Sequence, residues 1–259
     1  MYQKLAKVLV DYSIEVKEND LVWMTGDIVA KPVLEAVYAL LIQRGAHVMM
    51  TLNDGKLDEL FYRYAKQKQL QKTPPLFEFA AQACNKRIKI IGSENTRALS
   101  CVDPQKKTKV QKALKPILEQ TMQRSALGEL DWILSLCPTN AGAQEANMGF
   151  YDYEEFVFKA CMLDQDDPVA AWKKLEQAQE MMIRFLEKKK ELLFKAEGTE
   201  LLVNIENMVW KNSCGKRNFP DGEVFTGPNL QAKDGGINGI VSYTYPAILN
   251  QTVVEGIVL

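Results

Sequence analysis

The residue best placed to do chemistry in this chain is a glutamate delivered by a tight turn. It lies in Arg217-Asn218-Phe219-Pro220-Asp221-Gly222-Glu223-Val224-Phe225-Thr226-Gly227-Pro228. Proline fixes φ at about −65°, aspartate hydrogen-bonds the backbone two residues on, and glycine tolerates φ > 0. The Pro-Asp-Gly step therefore predicts a turn that presents Glu223 at the mouth of a short extended run, Val224 to Thr226, ended by Gly227-Pro228. On spacing alone this reads as a hairpin turn with a solvated glutamate.

The other chemistry-bearing residues offer less. His47 is the one histidine, set beside an apolar run with no acidic or cysteine partner at ligand spacing, which reads as a hydrogen-bonded structural residue. Ser-His-Asp and Cys-His catalysis would both need it as base, and no nucleophile-elbow sequence accompanies it. Gly26-Asp27 follows an apolar run and could approach a ligand at the carboxyl end of a sheet. Neither a Gly-x-Gly-x-x-Gly nor a Gly-Lys-Ser/Thr pattern follows it, which argues against a nucleotide site. Cys84, Cys101, Cys137, Cys161 and Cys214 form no Cys-x-x-Cys pair. An odd, scattered set argues against a disulfide framework and for a reducing compartment.

The segment from Asn218 to Pro228, preceded by Trp210-Lys211-Asn212-Ser213-Cys214-Gly215, resembles the signature of the thermophilic-type metalloaminopeptidases, the aminopeptidase T, AmpS and PepS family. Lys4 to Ser13, Gly45-Ala46-His47, Pro138-Thr139-Asn140-Ala141, and Asp167-Pro168 with Trp172 also fall where that family has similar segments. The resemblance thus extends over essentially the whole chain. It implies that Glu223 is one metal ligand of a two-metal site and assigns no catalytic acid or base to this sequence. The family's remaining ligands, a second glutamate, two histidines, a tyrosine and an aspartate in a His-x-Asp pattern, come later than the Pro-Asp-Gly-Glu motif. This sequence reaches Leu259 within a strand-like run, so the expectation is the N-terminal portion of such an enzyme, inactive alone. The nearest further carboxylates are Asp221, expected to serve the turn, and Glu255, on that last run.

In a two-metal hydrolase, carboxylates hold two ions about 3.5–4 Å apart, and the ions polarise the scissile carbonyl and lower the pKa of bound water. The resemblance accordingly implies a cytoplasmic, homodimeric enzyme that removes N-terminal residues from peptides with two divalent metal ions, zinc or cobalt. An alternative is a non-catalytic α/β ligand-binding or interaction protein that keeps the scaffold without the metal centre.

The elements that must position Glu223 are legible in the periodicity. Leu5, Val8, Leu9 and Tyr12 recur at helical spacing. Residues 21–25 and 47–52 read as buried strands on either side of a helix closed by Gly45, a βαβ unit with parallel strands. Residues 87–91 and 132–136 read as two more strands, with helices expected at 56–69, 76–84 and 105–118. This alternation indicates an open, mostly parallel α/β sheet with helices on both faces. The aromatic stretch 141–163 shows no regular pattern, and Asp166-Asp167-Pro168 is expected to start the longest helix, ending near Glu197-Gly198. Beyond that the period becomes β, with strands expected at 201–205, 240–245 and 252–259. The domains expected are therefore 1–195, α/β, and 196–259, the β-rich beginning of a catalytic domain.

Composition fits this picture. A chain of 259 residues with 47% hydrophobic residues can bury a core, and 32 basic against 33 acidic residues leave a net charge of −1. No overall field draws it to nucleic acid or to an anionic membrane. The lysine runs at 106–107 and 188–190 read as solvated faces. There is no signal-peptide pattern at the start and no apolar run of about 18 residues, so neither secretion nor membrane spanning is expected.

Overall fold

The computed structural model describes residues 1–233, 235–243, 247–249 and 252–254. The helices are α1 (Tyr2–Lys7, continued as a π-helical stretch over Val8–Ser13), α2 (Lys31–Gln43), α3 (Gly55–Tyr64), α4 (Gln67–Leu70), α5 (Pro75–Ala83), α6 (Pro104–Ala126), α7 (Asn140–Glu145), α8 (Phe150–Ala160) and α9 (Pro168–Leu186). The strands are β1 (Leu21–Asp27), β2 (His47–Asn53), β3 (Lys86–Ile91), β4 (Asp131–Leu136), β5 (Glu191–Ala196), β6 (Thr199–Asn204), β7 (Lys211–Ser213), β8 (Asn218–Phe219), β9 (Glu223–Phe225), β10 (Ile237–Ile240), β11 (Ala247–Leu249) and β12 (Thr252–Val254). The chain divides into two compact units, Met1–Lys173 with Gly215–Asp221, and Lys174–Cys214 with Gly222–Leu259.

The first unit is built on a parallel sheet in the order β2-β1-β3-β4-β8. The four strands expected from the sequence are its first four. Val22 and Met24 on one face of β1 are fully buried, as are Val33, Val37 and Leu41 of α2, and Leu34 is nearly so. Pro32 starts α2 and Gly45, at φ +76°, follows its end, the positions these residues prefer. A Cβ on Gly26 would lie 2.5 Å from a Leu34 methyl group, so the glycine is what lets α2 sit close to β1. On the other face Trp23 packs against Phe77 of α5, ring centroids 5.7 Å apart, beside Ala80 and Cys84.

A buried charge ties three strands together. Lys86, its side chain 11% exposed, donates to Asp131 (2.9 Å) and to the Ile14 carbonyl (2.6 Å), and Arg217 reaches the other Asp131 oxygen at 3.5 Å. Asp131 is itself 41% exposed, so its loss is partly offset by solvent, but it leaves the buried Lys86 ammonium without its counter-charge. Asp131→Ala is expected to destabilise by about 2 kcal/mol, and Asp131→Ala with Lys86→Met by less. Urea unfolding of the three proteins checks the order, and equal losses in the single and double variants would refute the pairing.

Three local expectations change. The aromatic stretch 141–163 holds two helices, α7 and α8, because Tyr2 meets Phe158 edge-on (5.5 Å) and Tyr153 lies against Gly142. The pattern was obscured by Tyr151 and Phe156, aromatic yet exposed. The longest helix is α6, with 23 residues to the 19 of α9. It continues past 118 because Ile117 and Thr121 stay buried and Arg124 donates to the Ala81 and Cys84 carbonyls at 2.8 Å. Finally, α9 ends at Leu186 and, after a turn over 187–190, β5 begins at Glu191, since Gly198 at φ +66° closes a tight hairpin that pairs Ala196 with Thr199.

The second unit contains the antiparallel sheet β10-β6-β5 and the pairs β7-β9 and β11-β12. The strand expected at 201–205 is β6; that expected at 240–245 is found earlier, as β10, and 244–245 lie outside the described residues. Of the run 252–259, β12 covers Thr252–Val254, and Glu255 lies outside the described residues.

Candidate functional site

The turn motif does not form a simple hairpin. Its first half belongs to the parallel sheet, where β8 runs alongside β4, Asn218 opposite Leu134 and Phe219 opposite Ser135, and Leu134 N–H donates to the Arg217 carbonyl at 2.8 Å. Phe219 is 2% exposed and packs on Trp172 with ring centroids 4.9 Å apart. Trp172 in turn donates its indole N–H to the Cys161 carbonyl at 3.0 Å. Gly215, at φ +81°, lies under both rings, and a Cβ there would come within 3.0 Å of Phe219 and 3.3 Å of Trp172. Sequence reasoning missed β8, since a single buried Phe between Asn218 and Pro220 carries no period.

The second half of the motif belongs to the second unit. Gly222 adopts φ +129°, a region that favours glycine, and its N–H donates to the Ser213 carbonyl at 3.0 Å. That bond starts the antiparallel pairing of β9 with β7, which sets Glu223 opposite Ser213 and Phe225 opposite Lys211. β7 is itself held by the later turns of α9: Asn212 donates to the Glu176 carbonyl (3.1 Å) and the Glu180 carboxylate (2.8 Å), and Gln179 donates to the Ser213 carbonyl (3.3 Å). Thr226 Oγ1 donates to the Val209 carbonyl at 2.8 Å and closes the end of β9. The backbone of Glu223 is thus fixed from both sides. Its side chain is exposed, and its carboxylate makes no hydrogen bond or ion pair among the described residues.

Three buried polar atoms around this strand pair, Gln179 Oε1, Trp210 Nε1 and Asn212 Oδ1, have no hydrogen-bond partner among the described residues. Buried polar atoms are nearly always satisfied, by protein or by water. Asp221, the other carboxylate of the motif, is engaged and is not a free ligand. Among the described residues no three His, Cys, Asp or Glu side chains gather where a metal ion could be held. The described part of this chain therefore holds one uncommitted carboxylate in the motif, Glu223, and does not by itself fit a metal pair.

The other sequence candidates have structural roles. Asp27 accepts the Gly92 N–H at 2.8 Å and so ties the ends of β1 and β3. His47 begins β2, its ring exposed and its backbone N–H bonded to the Asp20 carbonyl. Burial pushes the Cys161 thiol up to about 12 and that of Cys137 to about 11, so both are neutral thiols rather than nucleophiles. No helix is long and apolar enough to cross a membrane among the described residues.

The model of the family described as thermophilic metalloprotease (M29) matches residues 1–259. The chain is 26% identical over 277 residues to Aminopeptidase 2 of Geobacillus stearothermophilus, covering 99% of this chain and 66% of the relative. It is 26% identical over 277 residues to Aminopeptidase T of Thermus thermophilus, covering 98% and 67%, and 25% identical over 284 residues to Aminopeptidase PepS of Streptococcus thermophilus, covering 98% and 66%. The solved structure of wild-type AmpT from Thermus thermophilus is similar with a TM-score of 0.83 at 23% identity, over 99% of this chain and 68% of that one, and shares the fold. The chain spans about two thirds of the length of the curated relatives it matches.

Proposed function

Because the chain belongs to the thermophilic metalloprotease (M29) family, we propose that it is the N-terminal portion of a metal-dependent aminopeptidase in which Glu223 supplies one carboxylate ligand of a two-metal site. The observation that carries this reading is the state of Glu223. Its backbone is pinned by the Gly222 to Ser213 bond and the β7-β9 pairing, while its carboxylate has no partner among the described residues. A fixed backbone with an uncommitted carboxylate is the arrangement a metal ligand needs, since misplacement by about 1 Å costs on the order of 100-fold in rate.

In this reading residues 1–195 form the N-terminal domain and 196–259 open the catalytic domain. Peptides are the substrates, zinc or cobalt the metals, the cytoplasm the compartment and a homodimer the assembly. The chain as given is inactive, because Glu223 alone offers at most two oxygens where a catalytic zinc usually takes about three protein ligands.

The test assays leucine amide hydrolysis with added zinc or cobalt, using the 259-residue chain and a chain carrying the remaining third of the relatives' length. Turnover by the longer chain alone is expected. Turnover by the 259-residue chain, or metal-independent turnover, refutes the proposal; a longer chain that neither turns over nor binds metal supports the ligand-binding alternative.

A further inference from the structure

β3 lies in the middle of the parallel sheet, and Arg87 stands in it opposite Trp23 of β1 and Trp132 of β4. Directly aligned residues share a face of the sheet, and Lys89, two residues on, shares it too. The Arg87 guanidinium lies 4.5 Å from the centre of the buried Trp23 ring, and Trp132, on the strand at its other flank, is half-buried. Arg44, Arg97, Arg124 and Arg217 each meet a carboxylate. Arg87 meets none among the described residues: its Nε is buried without a hydrogen-bond partner, and burial lowers its pKa with no carboxylate acting against it. A cation taken out of water without a counter-charge is costly, and the face of one indole offsets only part of that cost. Lys89 is exposed and likewise forms no ion pair among the described residues. The one carboxylate that β1 or β3 places on this face, that of Asp27, accepts the Gly92 N–H. The face is closed at one end and open at the other: from Trp23, burial falls along β3 through half-buried Arg87 to exposed Lys89 and Ile91. Open α/β sheets bind their ligands at the carboxyl ends of the strands, the end that is open here.

We infer that Arg87 and Lys89 form a binding site for a small oxyanion, a carboxylate or a phosphate, held by the guanidinium fork between the two indoles. Arginine presents planar donors that match two oxygens of either group, and packing on Trp23 fixes the plane of that fork. Lys89 adds a point charge nearer to solvent, suited to drawing the anion in. The middle strand of a sheet ordinarily carries apolar side chains where it is covered. An arginine there lowers the stability of the free chain and becomes favourable once its charge is met, the kind of local exception that marks a functional position.

This site is independent of the Glu223 reading, and its test needs neither metal nor turnover. The 259-residue chain is titrated with sodium acetate and with sodium phosphate in chloride buffers of matched ionic strength, and its melting temperature and tryptophan fluorescence are followed. A saturable rise in melting temperature with a Kd of about 1 mM is expected for at least one anion. A response to acetate alone identifies the ligand as a carboxylate, to phosphate alone as a phosphate, and to both as any oxyanion that fits the fork. Arg87→Met is expected to remove the response and, in chloride alone, to melt no lower than the wild type. Arg87→Lys keeps the charge without the fork and is expected to weaken binding about tenfold. Lys89→Met, on an exposed side chain, is expected to weaken it about threefold with an unchanged melting temperature in chloride. Three results would each overturn the assignment: no saturable response to either anion up to ~100 mM, a response that survives Arg87→Met, or an Arg87→Met chain that melts well below the wild type in chloride, which would make the guanidinium a stabilising part of the fold.

Discussion

In a chain that carries the complete ligand set, Glu223→Gln is expected to lower kcat/KM for leucine amide by about 100-fold or more, equivalent to about 2.7 kcal/mol of transition-state stabilisation. Glutamine keeps the shape of the side chain and removes its charge. The residue is exposed, and its carboxylate bonds to nothing else among the described residues, so the loss cannot be assigned to folding. The 259-residue variant should melt with the wild type. Metal content measured on the longer variant separates lost ligation from lost orientation: at least one ion per chain should go missing. Undiminished turnover with full metal content would remove Glu223 from the site.

The largest effect on stability is expected at Trp172. Its side chain is fully buried, packs against Phe219 with the rings tilted by 54°, and satisfies the Cys161 carbonyl through its indole N–H. Trp172→Ala removes this packing and orphans that carbonyl. The expected cost is about 4 kcal/mol, and a fall in melting temperature on the order of 10 °C. Trp172→Phe keeps much of the ring contact and loses only the hydrogen bond, so it should cost about half as much. Chemical denaturation of both variants is the measurement. A Trp172→Ala chain within 1 kcal/mol of wild type (~1 kcal/mol being a typical substitution) would show that the Trp172-Phe219 contact does not hold β8 in place.

The first four strands of the parallel sheet were readable because each is a short apolar run between turn signals, and the helices between them carry their own starts and stops, Pro32 and Gly45 among them. Where reading failed, the deciding contact lay far along the chain. Arg124 extends α6 by bonding the end of α5, and Tyr2 orders α8 by packing on Phe158. β5 was hidden for a different reason: the lysines at 188–190 continue a helical-looking polar run, and the hairpin at Gly198 decides against it.

By itself the sequence determined the α/β sheet and the βαβ unit, because apolar period and capping residues are local properties of the chain. Only the tertiary structure decided that the motif is divided, with Phe219 entering the sheet beside β4 and Glu223 entering the β7 pair. It alone showed that Asp131 holds both Lys86 and Arg217, and that Glu223 keeps its carboxylate uncommitted among the described residues. The physical reason is common to these cases. Strand pairing and burial depend on which distant surfaces meet, and a buried Phe between an asparagine and a proline, or a glutamate on a short strand, looks the same in sequence whether or not a partner arrives.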